Sequence, residues 1–545
     1  GVVLDSGADD QAFDRFWMIL EVSEEGDNTV LTLQNPSRVD PADSGVTAPD
    51  ATSEYAITSL SVTFFADEAE QVDALFVYDQ DSVADDVGEM TSEEMDFGDG
   101  PVIKGRITGL GMGPAAEIGG TLQPEGITYG DLEMVQVNLG SGNDTLTVDY
   151  VSVWTDHSTQ RSEPFYTLTM VDTGEGDDTV TVSSTGHAAG AFAVTTRAGE
   201  DRVYGEGSTA PLTVFGGEGN DRIYGGAGDD VLFGDTGRAD YVDGEGNIVT
   251  RLGHGWAQNP VNPPVSSFSE DGLTLTDDEI GTSFEAFPTT YGGLTGLSVQ
   301  LISGDGSVQY RRIVENTADS ITVDSPWELE ADGTYFYRVS MLPEDQTDGV
   351  VRGPRIAWSI DETVGGADTI SGSGGADIIV GGVGGDTIEG GHGDNLISGD
   401  NARFDFAPVS GGDGATLVFL AQTTAPSVGA SDTILSGSGK DLVLGGAGGD
   451  TIAAGDGGNI VFGDEGLIDY GLDGNLRDID LIESLSTTSS GGVDIITTGT
   501  GSDLIIGGRF GDTIAAGGGN NLVIGDSGKI TAASANAPQL SGIPM

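Results

Sequence analysis

Residues 216–237 run GGEGNDRIYGGAGDDVLFGDTG, with Asp221 and Asp230 nine residues apart in two copies of one glycine-rich phrase. The same nine-residue step returns at Asp368, Asp377, Asp386 and Asn395, again at Asp432, Asp441, Asp450 and Asn459, and again at Asp494, Asp503, Asp512 and Asn521. Internal repetition of this kind outranks any local propensity, because each unit has to bury its apolar face against the next copy of itself. Each run closes on a Gly-Asp turn: Gly234-Asp235-Thr236-Gly237, Gly399-Asp400-Asn401-Ala402, Gly463-Asp464-Glu465-Gly466 and Gly525-Asp526-Ser527-Gly528. The regularity of that ending suggests a capping device. Sparser copies surround Asp144, Asp178 and Asp201, where a metal site and a plain turn compete evenly.

The spacing carries a chemistry. Glycine supplies the positive-φ backbone that a six-residue turn demands, and the next three residues form a short strand. One apolar residue per strand, Ile223, Val231 or Leu232, Ile370, Ile379 and Ile388 among them, is expected to point inward, so that strands on alternate sides stack into two parallel sheets around a thin aliphatic core. Stacking brings the turn aspartates of successive coils together. Carboxylates and inward carbonyls then offer the six to eight oxygens that calcium takes, and without a cation the carboxylates repel one another. Metal binding and folding are therefore expected to be one event.

Composition agrees. The 545 residues carry 89 acidic against 20 basic side chains, a net charge of -69, which disfavours nucleic acid and anionic lipid as partners and favours a multivalent cation. With no cysteine, stability outside a cell has to come from something other than disulfides. No apolar run reaches the roughly 20 residues of a membrane helix. Gly437-Ser438-Gly439-Lys440 imitates a phosphate loop, but Asp441 follows where Ser or Thr belongs. His157, His187, His254 and His392 are scattered, and neither a zinc-protease HExxH nor a GxSxG elbow occurs.

The expected fold class is all-β: parallel β-roll or β-solenoid blocks of nonapeptides with interspersed small antiparallel β-domains. The divisions are 1–58, a partial antiparallel β-domain; 59–130, an acidic β and loop segment; 131–240, a β-solenoid ending in nonapeptides; and 241–360, an inserted β-sandwich-like domain. Three roll blocks follow at 361–411, 412–475 and 476–545. The strands of the inserted domain fall within 272–340, where Tyr291, Tyr310, Trp327, Tyr335 and Tyr337 suit either a binding face or a core. The opening Gly1-Val2-Val3-Leu4-Asp5, without Met or signal, suggests a piece of a larger protein.

GGEGNDRIYGGAGDDVLFG resembles the hemolysin-type calcium-binding repeat of the RTX (repeats-in-toxin) proteins, over residues 216–237 and 363–528 and more weakly over 139–204. The chain resembles a segment of a giant secreted bacterial RTX surface protein or adhesin. The resemblance implies a calcium-loaded parallel β-roll, export in unfolded form by a type I system, and folding outside the cell. By that likeness the metal ligands are Asp221, Asp230, Asp368, Asp377, Asp386, Asp432, Asp441, Asp450, Asp494, Asp503 and Asp512, and the closing-turn aspartates Asp235, Asp400, Asp464 and Asp526 complete the candidate set. Two departures stand out. Asn395, Asn459 and Asn521 replace Asp at every fourth turn, and the first turn of each later block lacks its leading glycine pair, as at Thr363-Val364-Gly365-Gly366, Ser427-Val428-Gly429-Ala430 and Ser489-Ser490-Gly491-Gly492.

The function expected is that of a calcium-binding extracellular structural module, secreted or at the cell surface, that stiffens a rod for adhesion, surface-layer, matrix or filament assembly. Calcium is the cofactor. Copies of the chain itself and other matrix or surface components are the candidate partners, and no catalytic or organic cofactor-binding residue is expected. The competing expectation is the noncatalytic export and folding region of a secreted hydrolase or toxin.

Overall fold

The computed structural model describes residues 2–5, 16–25, 28–34 and 54–57 and most of 74–531, the longest stretches not described in that span being 155–164, 184–191, 254–264, 279–288 and 341–352. The chain divides into two units, Gly1–Gln71 and Val72–Met545. The first unit holds an antiparallel sheet in the order Asn28–Gln34, Phe16–Glu25, Val2–Asp5, Glu54–Ile57.

The second unit is built on two long sheets whose strands alternate along the chain, parallel throughout the roll. One sheet runs from Val87–Asp96 through Thr145–Val148, Thr179–Val182, Arg202–Tyr204 and Arg222–Tyr224 to Thr369–Ser371 and on to Thr513–Ala515. The other runs from Ala74–Tyr78 through Val231–Phe233 and Ile378–Gly382 to Leu522–Ile524. The acidic stretch before residue 130 thus supplies the opening strands of both sheets, and Pro101–Gly109 pairs back on Val87–Asp96 as a hairpin. Strands from all three later blocks belong to the same two sheets.

Between the sheets lies one apolar column fed by the middle residues of successive strands: Ile223, Ile370, Ile388, Ile434, Ile452 and Ile496 from the first sheet, Leu232, Ile379, Ile397, Val443, Val461 and Ile505 from the second. The inward residue of the VLF strand is therefore Leu232. Val231 and Phe233 face the opposite way, into a second core.

That second core exists because a third sheet covers the second. It is antiparallel, in the order Ile248–Leu252, Gly237–Val242, Pro354–Ser359, Ala402–Pro408, Thr416–Thr423, Gly466–Asp469, Leu481–Ser484, Lys529–Thr531. Coverage explains strand composition. Second-sheet strands beneath the third sheet, such as Leu442–Leu444 and Leu504–Ile506, are apolar at all three positions and fully buried. First-sheet strands such as Thr387–Glu389 bury only the central residue.

A six-stranded antiparallel sheet occupies 267–340, between Ile248–Leu252 and Pro354–Ser359, in the order Ser267–Phe268, Thr274–Thr276, Ser320–Val323, Val308–Asn316, Ser298–Ser303, Tyr335–Ser340. Its core includes Trp327, Tyr335 and Tyr337 and reaches Met134 and Leu168 of the roll. Those three aromatics therefore fill a core, and Tyr310 alone of the five is an exposed large side chain. Within the third sheet, buried Asp240 accepts from Arg238 Nε at 2.9 Å and Arg251 Nε at 2.8 Å. Arg251 also donates to the carbonyls of Gly293 and Thr295, at 2.8 and 3.0 Å.

Candidate metal centre

Each coil has two turns, one entering the first sheet and one entering the second, so the turn aspartates form two rows. The first row is Asp144, Asp178, Asp201, Asp221, Asp368, Asp386, Asp432, Asp450, Asp494 and Asp512. Its members are linked end to end, each donating its backbone N–H to Oδ1 of the next at 2.7 to 3.0 Å. The second row is Asp230, Asp377, Asn395, Asp441, Asn459, Asp503 and Asn521, linked the same way at 2.9 to 3.0 Å.

The first row takes in Asp144, Asp178 and Asp201, which were absent from the candidate ligand set. Their separations of 34, 23 and 20 residues along the ladder conceal a coil that elsewhere repeats every 18. The link from Asp221 to Asp368 spans 147 residues, so the roll resumes after the long insertion as if nothing had intervened.

This corrects the reading of the Gly-Asp turns as caps. A Cβ built on Gly234 would collide with Asp368 Oδ2, one on Gly399 with Asp432 Oδ2, and one on Gly463 with Asp494 Oδ2. Gly216 stands in that relation to its own Asp221, at 2.5 Å. Gly234, Gly399 and Gly463 are therefore the leading glycines missing from the next block. The nonapeptide is split, and the chain leaves it after the second residue, makes its strands of the third sheet, and re-enters at Gly365, Gly429 or Gly491.

The second residue of each split turn closes the gap. Asp235 accepts the N–H of Gly366 on the re-entering chain at 3.0 Å and the N–H of Val383 on the next coil. Asp400 does the same with Ala430, at 3.2 Å, and Ala447, and Asp464 with Gly492, at 2.9 Å, and Arg509. Both carboxyl oxygens of these three are thus engaged by backbone amides. Asp526 is exposed.

The row aspartates are arranged otherwise. Oδ1 serves the ladder, while Oδ2 is buried without a hydrogen-bond partner in Asp178, Asp201, Asp221, Asp368, Asp386, Asp432, Asp450, Asp494 and Asp512 of the first row, and in Asp377 and Asp503 of the second. A buried carboxyl oxygen left this way is costly unless something binds it. Beside it lies the carbonyl of the next coil's leading residue: the space a Cβ would fill at Gly216 meets Asp221 Oδ2 and Gly234 O, and at Gly445 it meets Asp450 Oδ2 and Gly463 O. Among the described residues no three His, Cys, Asp or Glu side chains converge on one point. The donors are instead one carboxylate per coil plus backbone carbonyls, an all-oxygen set suited to calcium. Positive φ at Gly217, 103°, and Gly219, 135°, shapes the turn.

Burial disfavours the charged form of these carboxyls, which a cation would offset. Burial pushes Asp221 up to about 8, with the Asp368 carboxylate adding to the shift against the ladder N–H from Asp201. Burial likewise lifts Asp368 to about 8, helped by Asp386, and Asp386 and Asp494 to about 7. Asp235 rises to about 9, chiefly through burial and also through Asp368 and Asp386, so the clasp feels the same row. Asp400 and Asp432 are both raised, by burial and by neighbouring carboxylates. A bound divalent ion reverses each shift by favouring the carboxylate.

Compared with known families, the chain matches the RTX calcium-binding nonapeptide repeat in four copies, at residues 213–238, 363–397, 429–466 and 497–529. No curated protein matches the chain. The first, second and third copies each run into or out of a split turn.

Proposed function

We propose that this chain is a calcium-stiffened structural segment of a large secreted protein, exported unfolded, folded by calcium outside the cell, and used there for adhesion or for building a surface layer, matrix or filament. It performs no catalysis of its own in this reading, and its partners are further copies or other surface components. What supports the reading is continuity: the insertions do not interrupt the roll, so stacked coils form one element of roughly 50 Å at the usual strand spacing. An export tail needs calcium-triggered folding but has no need of a single uninterrupted beam.

The test is a calcium titration of the chelated chain, from micromolar to about ten millimolar, followed by far-UV circular dichroism and sedimentation. A cooperative gain of β signal with growth of larger species supports the assembling structural role. Folding to a species that stays monomeric at high concentration and binds no surface component favours the export region of a hydrolase or toxin. Unchanged β signal overturns both.

A further inference from the structure

The two rows of turns are unequal, and the inequality is chemical. In the first row, every residue from Asp221 to Asp512 is Asp, so each gap between coils is flanked by two carboxylates. The leading residue of each of these turns is glycine: Gly216, Gly234, Gly381, Gly399, Gly445, Gly463 and Gly507, and a Cβ on any of them would press on the Oδ2 of its aspartate. The space beside that oxygen is left clear.

In the second row the sequence alternates from Asp377 onward: Asp377, Asn395, Asp441, Asn459, Asp503, Asn521. No gap beyond Asp377 has two carboxylates. At Asn395 the leading residue is still glycine, Gly390, where a Cβ would meet Ser436 O and Asn395 Nδ2; beyond it the leading residues are Ser436, Ala454, Thr498 and Ala516, each of which has a Cβ. Protein groups also take the hydrogen bonds. Asn395 Nδ2 donates to Ser436 O at 3.4 Å, Ser436 Oγ donates to Asp441 Oδ2 at 2.6 Å, Asn459 Nδ2 donates to Ala454 O, and Asn521 Nδ2 donates to Gly517 O at 3.2 Å. Asp503 Oδ2 has no partner, but its neighbours in the row are the amides Asn459 and Asn521. At the start of the first row, Thr196 closes its turn similarly, its hydroxyl donating to Gly216 O at 2.7 Å.

We propose that calcium loads the roll along one edge, between the first-row turns from Asp221 to Asp512 and at the single Asp230–Asp377 gap of the second row, and that from Asn395 onward the second edge is held by side-chain amides and hydroxyls in place of the ion. This rests on reading the first row as calcium sites. A neutral amide supplies one acceptor and one donor, which satisfies the ladder N–H on one side and the facing carbonyl on the other. A gap flanked by Asp and Asn offers a divalent cation half the charge that paired carboxylates do. All three split turns lie on the calcium edge, so each ion at Gly234 and Asp368, Gly399 and Asp432, or Gly463 and Asp494 joins the two ends of an insertion. The amide edge pairs one coil with the next without an ion of its own.

The experiment counts calcium bound to the full-length chain by equilibrium dialysis, with circular dichroism to verify folding. Asp441→Asn with Asp503→Asn is expected to leave the number of bound ions unchanged, whereas Asp386→Asn with Asp450→Asn is expected to lose at least two. Asn395→Asp with Ser436→Gly, which places a carboxylate between Asp377 and Asp441 and clears the leading position, is expected to gain at least one. Loss of calcium in the Asp441 and Asp503 variant overturns the one-edge assignment while leaving first-row sites standing. No gain in the Asn395 variant overturns the claim that the amide and the leading side chain exclude the ion. A wild-type chain that binds no calcium overturns the calcium reading itself.

Discussion

The two edges of the roll share a backbone path, a ladder of N–H to Oδ1 bonds and a nine-residue period, yet one edge is an unbroken file of aspartates and the other alternates Asp with Asn. The same turn therefore has two stable solutions. Where the facing groups are all carboxyl and carbonyl oxygen, the buried Oδ2 atoms are left for a cation to bind. Where every second group is an amide, the protein supplies its own hydrogen. The edge that carries the insertions uses the first solution, and the edge that continues without interruption uses the second.

The largest effect that should separate the edges comes from calcium removal. Chelation is expected to abolish most of the parallel β signal in far-UV circular dichroism, since the metal-free first row stacks buried carboxylates on one another. Retention of that signal would show that the amide edge alone holds the roll.

Next in size is the clasp. Asp400→Ala leaves the N–H groups of Ala430 and Ala447 without their acceptor, at a cost of about 1–3 kcal/mol for each buried group. Melting in saturating calcium should fall, and proteolysis should cut first within 401–428. Asp400→Asn, which keeps one acceptor oxygen, should recover part of the loss. Equal loss in both variants would mean that the carboxylate charge matters more than its bonds.

Acidity discriminates the rows further. The first-row carboxyls Asp221, Asp368 and Asp450 are raised to about 8 by burial first, against ordinary values near 4 in the unfolded chain. Between those limits the metal-free folded chain binds more protons than the unfolded one, so stability falls as pH rises from about 4 to 8. The β signal that survives chelation should therefore be larger at pH 5 than at pH 8. In calcium the order should reverse, because protons then compete with the ion. Identical trends with and without calcium would break the comparison.

The smallest effect is expected outside the turns. Thr387 is exposed on the uncovered face of the first sheet, where Arg222 occupies the equivalent position two coils earlier. Thr387→Arg should change stability by no more than about 0.5 kcal/mol, whereas Leu442 lies beneath the third sheet and Leu442→Arg should prevent folding.

Much of this was legible in the residues. The period, the parallel roll, the calcium chemistry and the antiparallel strands of 272–340 follow from glycine, Asp and β-branched spacing. The three-layered arrangement also left a trace, in that second-sheet strands read VLF, LVL and IVF while first-sheet strands read TIE and TIA. Strands covered on both faces lose their polar alternation. Val231 and Leu232 could not be told apart because both are buried, each in a different core.

What the sequence alone determined is the chemistry of each turn, because glycine conformation and carboxylate spacing act over nine residues. What only the tertiary structure decided is which residues complete a turn. Gly234 and Asp368 belong to one nonapeptide although the chain between them makes strands of the third sheet and the six-stranded sheet. Nothing local to Gly234-Asp235 distinguishes an ending from an interruption, since the groups that answer Asp235 are the amides of Gly366 and Val383, which reach it only when the coils stack. The sites at the split turns are therefore products of the folded roll, assembled from chain segments that proximity in sequence keeps apart.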